Sequence, residues 1–147
     1  MAKSNKLIAE LIGKLKPVMD FDPIGATDTY TIGQLSAHLR VSLRTLRFYE
    51  QSGLLVPNRE GLRRLYSRDD LDRLEVIVTL RELEVSLTAI KALMGAIDGD
   101  GRYSDRDVMG QVDVLLEQLA ADNRVRIDEL ERINLRIAAA RDNLIGA

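Results

Sequence analysis

The chain has 147 residues, 46% of them hydrophobic and 30% charged, with a formal net charge of −2 and no cysteine. That length suits one ordinary domain or a small domain with an extension, and the apolar share supports a buried core. The lack of thiols excludes disulfides, thiolate metal sites and thiol redox sensing within the chain. No apolar run approaches a membrane span and no signal-peptide pattern opens the sequence, so the expected compartment is the cytoplasm.

Residues 1–29 read as an extension. Leu7, Ile8, Leu11, Ile12 and Leu15 recur at helical spacing, with Lys6, Glu10, Lys14 and Lys16 around them. Pro17 and then Asp22-Pro23-Ile24-Gly25 end the pattern. The stripe suits a helix packed on its own protein, or one that docks a partner such as RNA polymerase or another protein. It is short and has no tryptophan, which argues against a membrane-surface helix.

From Thr31 to Gly53 the pattern predicts two short helices joined by a tight turn. Ile32, Leu35 and Leu39 give the first an apolar face, and Ser42 is placed to cap the second. In the second, Leu46 and Tyr49 face the core, helped by Leu43. Arg44, Thr45, Arg47 and, in part, Phe48 fall on other faces. A steep helix pair whose second member carries arginines has the shape of a helix-turn-helix. Arginine suits groove reading because its planar fork bonds both guanine edges and phosphates. Two arginines also simply solvate a helix, so the pattern alone leaves both readings open.

Leu54-Leu55-Val56-Pro57 leaves that helix extended. Asn58 to Tyr66 then forms a basic turn, bent at Gly61 and returning as a strand, which reads as a wing. Between Arg40 and Arg64 there are six arginines and two acids, hence +4. From Ile97 to Ala147 there are seven basic residues and eleven acids, hence −4. Positive charge is therefore concentrated where DNA contact is expected, and screening makes the local balance count more than the total.

Ser67-Arg68-Asp69-Asp70 opens a further helix with a cap and acids in its first turn. Leu71, Leu74, Ile77, Val78 and Leu80 continue its apolar face, Glu84-Val85 interrupts it, and Ser86 caps a helix holding Leu87, Ile90, Leu93 and Met94. Residues 98–107 read as a linker. Its acids do not make a calcium loop, because the sixth position from Asp98 is Tyr103 and the twelfth is Met109. Residues 108–147 form a long final helix. Val112, Leu115, Leu119, Ile127, Leu130, Ile133, Ile137 and Leu144 mark its apolar seam, with a stutter over the eleven residues from Leu119 to Leu130. Asn123 and Asn134 lie near the seam and suit a register-setting role. The helix either folds back on its own domain or pairs with a second chain; its length without a breaker favours self-association.

The segments TLRFYEQSGLL, RRLYS and LRELEVSLTAIKALM, in that order, resemble the MerR family of bacterial transcription regulators over residues 30–97. The resemblance implies a mainly α fold: a winged helix-turn-helix domain followed by a long C-terminal dimerisation helix, here with a short N-terminal helical extension. It implies a homodimer joined by an antiparallel coiled coil that binds a pseudo-palindromic site in double-stranded promoter DNA. The DNA is bent and untwisted, which is readout by deformation as much as by base contact. It places Arg44, Thr45 and Arg47 in the groove, Tyr49 at a phosphate, and Arg64 and Tyr66 on the wing. Thr31, Ser42, Arg59 and Arg63 complete the expected DNA-binding set. The sequence departs from the family pattern at Arg40, where the turn often has glycine, at Phe48, which replaces a tyrosine, and at Leu62-Arg63 in the wing. Sensor cysteines and a separate ligand domain are both missing from it. His38, the lone histidine, reads as a surface or phosphate-near residue. No catalytic constellation, metal site or cofactor motif stands out, so an enzyme is not expected.

Overall fold

The computed structural model describes residues 2–56, 58–60, 63–99 and 102–146, with side chains described over 5–56, 64–99 and 102–146. The chain forms two compact units, Met1–Gly110 and Gln111–Ala147.

In the first unit, α1 (Ala2–Leu15) buries four of the five stripe residues: Leu7, Ile8, Leu11 and Leu15 are all under 7% exposed, and Ile12 is half-buried. It packs against α4 (Arg68–Glu82) and α5 (Leu87–Asp98). The extension is thus part of the core of this unit, and its apolar face is already covered. A docking role through that stripe loses its surface. Pro17 closes the helix with a single tight turn, Lys16–Val18.

A strand that periodicity does not reveal follows. β1 (Thr29–Tyr30) pairs antiparallel with β3 (Arg63–Ser67), which pairs antiparallel with β2 (Asn58–Glu60), giving the order β1-β3-β2. Tyr30 lies opposite Tyr66, and both are 1% exposed. Two residues are too few for an alternating pattern; the strand exists because β3 offers it an edge. On the far side, Arg59 pairs with Arg64 and Glu60 with Arg63, as a wing requires. Gly61 and Leu62, at its expected bend, lie outside the described residues, as do the side chains of Arg59 and Arg63.

The helices start where side-chain caps place them. Thr31 and Gln34 form a reciprocal capping box on α2 (Ile32–Leu39), and Ser67 and Asp70 form one on α4. Ser42 caps α3 (Leu43–Gln51) and Ser86 caps α5. From Val76 to Leu80 every residue of α4 is buried. A helix covered on all sides lies at the centre of its domain rather than on one face. The one-sided stripe expected there widens, over Val76–Leu80, into burial on every side, while Arg68, Asp69, Arg81 and Glu82 at the two ends stay exposed.

The final helix, α6 (Asp105–Ile145), starts three residues before the expected boundary. Ser104 sets that start: its backbone N–H and hydroxyl both donate to the Asp107 carboxylate, at 2.9 and 2.8 Å. The bond from that backbone N–H holds the carboxyl below its ordinary range. In the second unit Val112 is buried and Leu115 and Leu119 are half-buried. Ile127, Leu130, Ile133, Ile137 and Leu144 are between 49% and 84% exposed.

Candidate nucleic-acid interface

The groove-facing helix is held from behind. Leu46 and Tyr49, three residues apart on α3, are 1% and 5% exposed and fix its inner face. Burial pushes the Tyr49 phenol above its ordinary range, against the opposing pull of Arg81. Tyr49, expected at a phosphate, is therefore first of all a core residue. Leu43, expected to help the core, is 39% exposed at the helix start instead. Arg44 and Arg47 are exposed on the outer side, and neither has an ion-pair partner among the described residues.

Ser42, Thr45 and Thr31 have local work. The Ser42 hydroxyl accepts from the Thr45 backbone N–H at 3.0 Å and lies 2.9 Å from the Thr45 hydroxyl. The Thr31 hydroxyl accepts from the Gln34 backbone at 3.2 Å. Thr31 and Ser42 remain exposed, so their oxygens cap helices while facing outward.

The turn between α2 and α3 passes through Arg40 in the left-handed conformation, φ 55°, ψ 39°. A side chain is thus tolerated where glycine would be free of strain. The guanidinium meets Asp20 and Asp22 of the segment after α1, each at 3.1 Å. Hydrogen bonding to Asp20, then the charge of both carboxylates, raises its proton affinity further. His38, read from sequence as surface or phosphate-near, is 8% exposed. Its Nδ1 faces the Asp22 carbonyl, its Nε2 lies 3.1 Å from Glu75 Oε1, and its ring leans on Phe21. The correction has a plain cause: the loop after α1 folds over α2 and covers the ring.

The wing is joined to α3 by a residue that sequence reasoning passed over. Glu50, its side chain 9% exposed, accepts a hydrogen bond from the Tyr66 hydroxyl and an ion pair from Arg64 at 3.3 Å. Tyr66 is buried, so its expected place on the DNA surface is taken by a structural one. Arg64, 35% exposed, still presents an edge to solvent. Behind this joint, Arg73 donates to the Leu54 carbonyl at 2.9 Å and clasps Asp98 at 2.8 and 2.5 Å, holding the segment that leads from α3 to the wing. The +4 of the sequence is thus partly spent internally: Arg40 and Arg64 are paired, whereas Arg44 and Arg47 are available. No signal in the local sequence reveals Glu50, because its partners lie 14 and 16 residues away.

No helix among the described residues is long and apolar enough to cross a membrane, and no group of three or more potential metal ligands occurs among them.

Comparison with known proteins agrees with this geometry. Residues 30–97 match the family described as MerR HTH family regulatory protein. The mercuric resistance operon regulatory protein of Bacillus cereus is 34% identical over 106 residues, covering 71% of this chain and 76% of that protein. The ZntR homolog of Haemophilus influenzae, an HTH-type transcriptional regulator, is 28% identical over 116 residues, 78% of this chain and 82% of its own length. Among solved structures, HiNmlR, a MerR family regulator lacking the sensor domain and bound to promoter DNA, superimposes with a TM-score of 0.51 at 25% identity. That match covers 81% of this chain and 92% of the HiNmlR chain. The buried back of α3, its free arginines, the wing joined to it through Glu50 and these similarities agree on one assignment: the chain belongs to the MerR family of helix-turn-helix transcriptional regulators.

Proposed function

We propose that the chain is a homodimeric, sequence-specific regulator that binds a pseudo-palindromic promoter site in double-stranded DNA and distorts it. The observation that carries this reading is the division of α3, with Leu46 and Tyr49 locked inside and Arg44 and Arg47 exposed without ion-pair partners among the described residues. A rigid helix presenting unpaired guanidinium groups suits the major groove, where arginine bonds the guanine edge. Arg64 on the wing runs along the backbone and neutralises phosphate, as do Arg59 and Arg63.

Dimerisation supplies the second half-site. The stripe from Ile127 to Leu144 is apolar and bare, and a second copy running antiparallel along it covers it. Distortion of the bound site realigns the promoter for RNA polymerase, in the cytoplasm where both are found. HiNmlR, which lacks the sensor domain and is bound to promoter DNA, supports a reading in which DNA binding needs no ligand domain.

Footprinting on genomic fragments tests the proposal. A single protected stretch, with two-fold related halves lying in a promoter spacer, is the expected result. Uniform protection of all DNA removes the sequence-specific form.

A further inference from the structure

The outer face of α3 carries one large apolar side chain, Phe48, that stays about half exposed among the described residues. Arg44, Phe48 and Gln51 follow one another at i, i+4 and i+7, on the side opposite Leu46 and Tyr49. All three are exposed, and Phe48 remains 48% exposed, its ring tilted against that of Tyr49 with centroids 6.3 Å apart. The other residues of that face are polar or charged, so the phenyl ring stands alone between Arg44 and Gln51.

Resting on the DNA-binding reading above, we infer that Phe48 is a specificity-determining residue that reads the C5-methyl group of a thymine. A phenyl ring has no donor or acceptor and cannot bond a phosphate or a polar base edge. Within the major groove the apolar group on offer at a base edge is the thymine methyl. Arg44, one turn earlier on the same face, brings the ring to base depth. The pairing of an arginine with an adjacent aromatic predicts a step in which guanine and thymine lie close together. Deoxyribose carbons are the competing apolar surface, and they are the same at every position, so they confer no sequence preference.

Uracil lacks only the thymine methyl, so it is the discriminating probe. The full-length chain is titrated against the footprinted duplex and against duplexes in which each thymine in turn is replaced by uracil. The wild-type chain is expected to lose affinity by roughly threefold to fivefold at one position per half-site, the effect of one buried methyl group, and to bind all other replacements unchanged. Phe48→Ala should bind the thymine and uracil duplexes equally at that position. Phe48→Leu, which keeps an apolar side chain of similar reach, should restore part of the discrimination. Phe48 is exposed, so both variants retain the fold, and thermal melting verifies this. A wild-type chain indifferent to every replacement overturns the assignment. So does a loss that persists unchanged in Phe48→Ala. A chain that protects no defined stretch at all overturns instead the DNA-reading proposal on which this one rests.

Discussion

Helix α4 and the distal part of α6 both carry apolar residues at helical spacing, yet the fold treats them in opposite ways. Val76 to Leu80 of α4 are 0–2% exposed, wrapped by α1, α2, α5 and β3. Ile127, Leu130, Ile133 and Ile137 of α6 are about half exposed, and Leu144 is 84% exposed. Spacing alone reports that a helix has an apolar face. What covers that face depends on how many other elements the chain can bring to it. Among the described residues, α1 to α5 and three strands lie in the first unit, whereas the second is built on the rest of α6 alone. A bare seam of this size on a helix otherwise lined with charged residues suits a partner surface rather than a core.

The sharpest way to break this comparison is to charge the seam. Leu130→Asp combined with Ile137→Asp places carboxylates inside the proposed dimer contact, at a cost of several kcal/mol each, roughly the penalty for burying an unpaired charged group. Light scattering should then show a monomer at concentrations where the wild type is dimeric, while the melting of residues 1–110 stays unchanged. Leu74→Ala, at a fully buried position of α4, should do the reverse: about 3–4 kcal/mol lost from the melting transition, with the dimer contact intact. A dimer that survives the double substitution would mean that another surface joins the chains.

The next effect lies within the DNA-facing region. Glu50→Ala removes the acceptor shared by Tyr66 and Arg64 and leaves a buried phenol hydroxyl without a partner. The expected loss is about 2–3 kcal/mol in chemical denaturation. Loosening the wing from α3 should also weaken DNA binding. Unchanged stability would show that the wing is held by its strand pairing alone.

How far the sequence carried can be judged on these same residues. Its legible parts are local. Ser42, Ser67 and Ser86 each cap the helix expected of them, because a cap is written within four residues. The helix-turn-helix, the wing and the long final helix follow from spacing and punctuation. The parts that escaped depend on pairing across the chain. β1 is defined by β3, His38 is buried by the loop at Asp22, and Glu50 is fixed by Arg64 and Tyr66. Tyr66 shows the limit well: nothing nearby in sequence tells a tyrosine on a wing surface from one turned into the core. The charge count has the same limit, since it finds six arginines but not which of them are already paired.

That distinction between free and paired arginines sharpens the interface. Arg44→Ala should cost roughly 1–3 kcal/mol on the footprinted site and much less on scrambled DNA, because it removes the proposed base contact. Arg64→Ala should weaken both duplexes about equally, since a phosphate is the same at every step. Because Glu50 already holds the Arg64 guanidinium, its removal should flatten the salt dependence by less than about one unit, the value of one free phosphate contact. Affinities measured on both duplexes over a salt series provide the check. Equal loss on both duplexes for Arg44→Ala would misplace the recognition helix.

The smallest effects come from two turns in residues 1–110 that share one backbone shape but not one environment. Arg40 and Glu84 both adopt positive φ, at 55° and 69°. Glu84 closes α4 as a left-handed cap, with its N–H bonded to Arg81 at 2.9 Å and that of Val85 to Leu80 at 3.0 Å. Its side chain takes part in no ion pair among the described residues. Glycine removes the clash of a Cβ with the backbone but adds freedom to the unfolded chain. Setting the two against each other, Glu84→Gly should raise stability by about 0.5–1 kcal/mol. Arg40→Gly gives the same backbone relief but forfeits the contacts to Asp20 and Asp22, so its gain should be smaller. Paired melting curves isolate what those carboxylates contribute, because the backbone change is common to both variants. If the two gains are equal, the acidic segment after α1 does nothing for the helix-turn-helix turn. If Arg40→Gly is a net loss, that segment is what lets the turn dispense with glycine.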